Sequence, residues 1–148
     1  FHCTGYSALW TTPGETALRT TVGWNIEIMF MFSIAGIIYY NTLSEDKNAR
    51  LLFLPDRLFW VIAYAAFCVF VECLLNVGGH LVWEYPFWKL SMPGVLPIFF
   101  AAYVPLFLSP MLVIGLKTTG KKAAATGCIY GAAILLNVIA FCILGWNY

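Results

Sequence analysis

Four long apolar stretches, separated by short polar loops, dominate the pattern of this chain. A transmembrane helix needs about 20 predominantly apolar residues, and each stretch reaches that length. The pattern predicts spans over residues 23–43, 58–82, 95–116 and 123–146. We therefore expect an all-α integral membrane protein, a bundle of four transmembrane helices with short loops that forms a single domain over residues 1–148.

Local signals add two details to these helices. Thr12, Pro13 and Glu15 have the form of a capping box with proline at the first helical position, which predicts a short interfacial helix over residues 13–22. The third span contains prolines, which remove backbone donors, and we expect this helix to be kinked. Its prolines are Pro97, Pro105 and Pro110.

The composition supports the membrane assignment. Hydrophobic residues make up 61% of the chain and charged residues only 10%, whereas soluble domains carry about 25% charged residues. The mean hydropathy is +0.82. The net charge of +1 leaves no clustered basic surface of the kind that nucleic acids require. We expect contact with the lipid bilayer and no nucleic-acid partner.

Basic residues are distributed unevenly between the loops. Six of the eight lie in the loops 44–57 and 117–122, while the opposite side carries only Arg19 and Lys89. Lys and Arg accumulate in cytoplasmic loops. The pattern therefore predicts that these two loops are cytoplasmic and that both termini lie on the non-cytoplasmic side.

Polar residues inside the spans are the strongest functional signal. Glu72, Asn76 and His80 follow one another at helical spacing and would share one face of the second span. Asn25 and Glu27 open the first span from the same predicted side. Because a charged group at the centre of a membrane helix costs about 2.5–3.5 kcal/mol on insertion scales, Glu72 and Glu27 are the candidates for acid–base or relay chemistry.

An aromatic cluster follows the second span, and two further polar residues in the third and fourth spans could reach a similar depth. Together with the polar face of the second span, they form a predicted seam for ligand or lipid contact. Its candidate residues are Asn25, Asn76, His80, Trp83, Glu84, Tyr85, Trp88, Tyr103 and Asn137.

Metal binding has weak support in the pattern. Glu72 and His80, with Glu27, are the only plausible ligands, but the chain has two histidines and neither a Glu-x-x-His nor a His-x-x-x-His motif. A histidine pair for haem would require His2. The five cysteines have no CxxC spacing and are typical of small buried hydrophobic residues. The sequence identifies no cofactor.

Three functions remain open. Ala123, Gly127 and Gly131 form a small-residue edge that allows another helix to approach closely, which favours a subunit of a larger membrane complex that docks through the polar and aromatic seam. The second is a small membrane enzyme that performs acid–base chemistry on an isoprenoid-like or sterol-like substrate. The third is a component of a proton or ion path.

Overall fold

Helices make up most of the computed structural model, which describes residues 9–20, 23–46 and 48–145. The helices are α1 (Ile26–Thr42), α2 (Asp56–Val77), α3 (Met92–Ile98), α4 (Val104–Gly115) and α5 (Thr119–Val138). Two π-helical turns, Phe99–Tyr103 and Ile139–Ile143, follow α3 and α5. Four short strands complete the described elements: β1 (Trp10–Thr11), β2 (Arg50–Leu51), β3 (Leu54–Pro55) and β4 (Val82–Trp83). The predicted helical class is confirmed.

Two of the helical stretches in the described ranges are long and apolar enough to cross a membrane. They are α2 and the continuous stretch Met92–Gly115, which comprises α3, the first π turn and α4. The apolar helix α1 is shorter, with 17 residues. The predicted fourth span ends at residue 146, which lies outside the described residues.

The end of α2 corrects the predicted second span. The helix stops at Val77 instead of residue 82. Gly78 caps it with a backbone N–H that donates to Leu74, and Gly79 adopts a φ of 74°, in the left-handed region that glycine tolerates best. His80 therefore lies beyond the helix, and the predicted stripe contains only Glu72 and Asn76.

The predicted interfacial helix over residues 13–22 is absent from its described part, residues 13–20. The hydroxyl of Thr16 and the backbone N–H of Ala17 donate to the Glu27 carboxylate instead. The backbone N–H of Ile26 also donates to Leu18 at 3.0 Å. These contacts with the start of α1 use donors and acceptors that a local helix would need.

The π turn in the third predicted span lies between Pro97 and Pro105. Proline has no backbone N–H and cannot form the normal helical hydrogen bond. At this place the N–H of Val104 donates to Phe99, five residues back, and the helix changes from α to π geometry. The change in helix type thus lies within the proline-containing stretch for which a kink is predicted.

Three helices form the buried core. Tyr39 of α1, Val61 and Ala65 of α2 and Phe107 of α4 are its buried members. The ring of Tyr39 lies 5.4 Å from that of Tyr64 and 5.2 Å from that of Phe107 between centroids. The core therefore joins the C-terminal end of α1 to the N-terminal half of α2.

Strand pairing closes the opposite end of the molecule. β1 and β4 are antiparallel, with Trp10 opposite Trp83 and Thr11 opposite Val82. This pairing brings the N-terminal segment over the end of α2. The strands β2 and β3 form a separate hairpin between α1 and α2.

Candidate functional site

A cavity of about 610 Å³ lies between α1, α2 and the stretch Met92–Gly115. Its lining residues recur every three or four positions along α2, from Trp60 to Leu75, and along α1, from Ile28 to Ile38. At a rise of about 1.5 Å per residue, these faces are about 22 Å and about 15 Å long. The cavity is therefore an elongated slot that runs parallel to the helices, and we call it the slot.

One side of the slot is open. Met31 and Ile38 of α1 and Phe67 of α2 line the slot, yet all three side chains are exposed. The opening therefore lies between α1 and α2. In a bilayer this side would face lipid chains.

Three tryptophans line the slot at the end where α1 begins, which we call the outer end, and together they form the tryptophan cap. The rings of Trp10 and Trp88 are stacked at a centroid distance of 6.0 Å, and Trp24 meets Trp10 edge-on at 6.2 Å. The indole N–H of Trp10 donates to the carbonyl of Gly23 at 2.8 Å. Trp88 is among the predicted contact residues, whereas no periodic pattern around Trp10 predicts its place here.

Hydrogen bonds anchor the segment that carries Trp10. The carbonyl of Leu9 accepts from the backbone N–H groups of Glu84 at 2.9 Å and Tyr85 at 3.1 Å. The hydroxyl of Thr11 donates to the Glu84 carboxylate at 2.9 Å. Glu84 and Tyr85, predicted as ligand contacts, thus hold the chain segment that covers the slot.

Glu72 is the carboxylate in the slot lining, and it is only 6% exposed. The indole N–H of Trp83 donates to its Oε1 atom at 2.8 Å, and the Tyr103 side chain interacts with the same carboxylate. No Lys, Arg or His of the described residues lines the slot beside it. Glu72, Trp83 and Tyr103 are therefore the predicted site residues that the structure brings together.

The polar residues at the start of α1 lie elsewhere. The side chain of Asn25 caps α1 by accepting from the N–H of Ile28 at 2.9 Å. Glu27 is exposed and binds Thr16 and Ala17. Neither residue lines the slot. The structure therefore does not join Glu27 to Glu72, and acid–base or relay chemistry in the slot would lack its expected second carboxylate.

Three other predicted contact residues also lie outside the slot lining. The Asn76 amide donates to the carbonyl of Leu81 at 3.0 Å and stabilises the turn after α2. His80 is exposed. Asn137 is also exposed, and its amide donates to the carbonyl of Ala133 within α5 at 2.8 Å.

The described residues contain no candidate metal cluster. No group of three or more His, Cys, Asp or Glu side chains lies close enough there to hold a metal ion. The weak candidates Glu72 and His80 differ in environment, because the carboxylate is buried and the imidazole is exposed. His2, the second residue of a haem pair, lies outside the described residues.

The slot chemistry favours lipophilic molecules. Apolar and aromatic side chains form nearly all of its lining, with the Glu72 carboxylate close to one end. Ligand sites in proteins are commonly apolar concavities with few polar groups that fix orientation. The slot has this composition.

The comparisons with known proteins agree with the membrane assignment. A family model described as an uncharacterized membrane protein family matches residues 1–142. The chain is also similar to an uncharacterized protein of Archaeoglobus fulgidus, with 41% identity over 141 residues. This match covers 95% of the chain and 66% of the relative, so the chain spans less than two thirds of the relative's length. No solved structure matches the chain significantly.

The Trp83–Glu72 hydrogen bond can be tested by a double-mutant cycle. Trp83→Phe keeps an aromatic ring but removes the N–H donor, and we expect it to lower the free energy of unfolding in detergent by about 1–3 kcal/mol, because a buried acceptor loses its partner. In the Glu72→Leu background, which has no side-chain acceptor for the indole N–H, the same change should cost less. An equal cost in both backgrounds, measured by denaturant unfolding, would contradict the assigned contact.

Proposed function

Because the chain belongs to this family of membrane proteins, we propose that it crosses the bilayer as a bundle of four spans. The spans are α1, α2, the stretch Met92–Gly115 and α5. The π turn Ile139–Ile143 extends α5 beyond its 20 helical residues. The charged first turn of α5, with Lys121 and Lys122, then lies at the membrane surface.

The proposed orientation follows the distribution of basic residues. The loops between α1 and α2 and between α4 and α5 carry most of the Lys and Arg residues and face the cytoplasm. Both termini lie on the other side. Packing supports a common end for these loops, since a Cβ atom at Gly115, the end of α4, would lie 3.6 Å from Arg57 at the start of α2.

Cysteine labelling tests this orientation. In a variant without native cysteines, Glu15→Cys should react with a membrane-impermeant maleimide added to intact cells, whereas Glu45→Cys should not. Both positions are exposed, so that sidedness and not burial decides the result. Labelling of Glu45→Cys alone would invert the topology.

We propose that this protein binds a lipophilic molecule in the slot, within the membrane. The supporting observation is a cavity of about 610 Å³ with an apolar lining and a single buried carboxylate, as far as the described residues extend. Such a volume lies within the range of about 300–1,000 Å³ that is typical of ligand sites. The lateral opening between α1 and α2 lets a ligand enter from the bilayer.

The dimensions of the slot favour one extended chain over a compact ring system. The slot has a volume of about 610 Å³ and a length of about 15–22 Å, so its cross-section is small. Because C–C bonds of about 1.5 Å follow a zigzag, an extended chain advances only about 1.25 Å per bond, and roughly 12 to 18 carbon atoms fit this length. A linear isoprenoid or acyl chain matches the slot better than a sterol does.

Filling the slot should weaken binding. Ala63→Phe places a ring in the slot lining of α2, and we expect binding of hexadecanol to weaken by at least about tenfold, as counted by native mass spectrometry of protein released from lipid nanodiscs. Ala66→Phe is the matched control, because Ala66 is exposed on the same helix and does not line the slot. Equal losses in both variants, or equal binding in both, would refute the slot as the binding site.

A second candidate function, a subunit of a larger membrane complex, is supported by α5. No residue of this helix is buried, although its second half is apolar. A Cβ atom at Gly127 or Gly131 would meet no atom within 4 Å. We propose that a transmembrane helix of another subunit packs against the edge formed by Ala123, Gly127 and Gly131.

Bulky side chains on this edge should release the partner. Gly127→Leu and Gly131→Leu prevent close helix approach, and we expect both to reduce co-purification in mild detergent. Ala132→Leu is the control, because Ala132 is exposed and lies about 100° or more around the axis of α5 from residues 123, 127 and 131. A monomeric wild-type protein on size-exclusion chromatography would count against the subunit function. A homo-oligomer would identify a second copy as the partner.

A further inference from the structure

We infer that the outer end of the slot binds the ammonium head of a single-chain amphiphile, with Glu72 as the counter-charge and the tryptophan cap as the aromatic wall. This inference rests on the proposed binding of a chain in the slot and names the head group of that chain. The environment of Glu72 and the geometry of the three indoles support it.

Among the described residues, no cationic side chain accompanies Glu72 in the slot lining. Its known contacts, the indole of Trp83 at 2.8 Å and the side chain of Tyr103, are neutral groups. The indole N–H can only donate, so Glu72 acts as an acceptor towards it. A buried ionised carboxylate is normally paired with a cation, because desolvation without a counter-charge is costly. A bound ammonium group would supply the missing charge and N–H donors.

The tryptophan cap provides a second feature that favours a cation. Trp10, Trp24 and Trp88 all line the slot, and the ring centroid of Trp10 lies 6.2 Å from that of Trp24 and 6.0 Å from that of Trp88. Cations are attracted to the faces of aromatic rings, most strongly to tryptophan. The β1–β4 register places Trp10 opposite Trp83, whose indole contacts Glu72. The aromatic wall and the carboxylate thus belong to the same end of the slot.

The position of Glu72 also orients the chain. Glu72 lies about one turn of α2 from Leu75, at the outer limit of the lining, and about 18 Å from Trp60 at the inner limit. A head group at Glu72 therefore leaves most of the slot for the tail. The tail would extend along the apolar faces of α1 and α2 towards the buried core.

Three ligands with the same tail separate the head group from the chain. Hexadecylamine, hexadecanol and hexadecane are offered in nanodiscs of zwitterionic phospholipid, and binding is counted by native mass spectrometry. We expect the amine to bind at least about tenfold more tightly than the alcohol. The Glu72→Gln variant should lose this preference while it still binds the alcohol. Glu45→Gln, which removes an exposed carboxylate in a loop, should retain it.

The outcomes distinguish the two proposals. Equal binding of the amine and the alcohol to the wild-type protein overturns the ammonium site but leaves chain binding in the slot intact. Failure of all three ligands to bind overturns both. If Glu72→Gln does not fold, Trp88→Leu provides the second test. Loss of one aromatic face should reduce the affinity for the amine several-fold more than the affinity for the alcohol. Equal weakening of both ligands would overturn the role of the cap.

Discussion

The hydrogen bond from Trp83 to Glu72 determines how the outer end of the molecule is built. A carboxylate in apolar surroundings needs hydrogen-bond partners, and this one receives an indole N–H from a residue eleven positions further along the chain. The contact requires the chain to reverse after α2, which the left-handed Gly79 permits. Once β4 has returned in this way, it pairs with β1 and places Trp10 over the slot.

The sequence predicts those features of the structure that depend on residues close together in the chain. Apolar length and composition indicated helices, and the cost of a carboxylate within a span singled out Glu72. The pattern groups Trp83 and Glu72 in one predicted contact seam and predicts an unbroken second span up to residue 82. The structure makes that contact by a reversal of the chain instead, because Gly78 and Gly79 end the helix. The same turn separates His80 from the predicted stripe.

The remaining features depend on contacts between distant residues. Thr11 meets Glu84 across 73 positions of the chain, and nothing in the aperiodic segment around Trp10 indicates that pairing. The capping box at Thr12 is a local helix signal, but the Glu27 carboxylate captures the donors of Thr16 and Ala17. The slot itself is invisible in the pattern of the chain, since a helix face that lines a cavity is as apolar as one that faces protein or lipid.

The shape of the slot follows from the spacing of large and small side chains between α1 and its neighbours. Phe32 stacks on Tyr103 at 6.3 Å in the N-terminal half of α1, and Tyr39 contacts Phe107 at 5.2 Å near the C-terminal end. Ala35, between these aromatic contacts, lines the slot and leaves room there.

This geometry has an energetic consequence for selectivity. Lipid chains are as apolar as the walls of the slot, so a hydrophobic tail gains little by leaving the bilayer for it. A laterally open slot of this kind would accept ordinary lipid chains as readily as any other hydrocarbon. Discrimination between ligands must therefore come from its polar end, where Glu72 lies buried beside Trp83 and Tyr103.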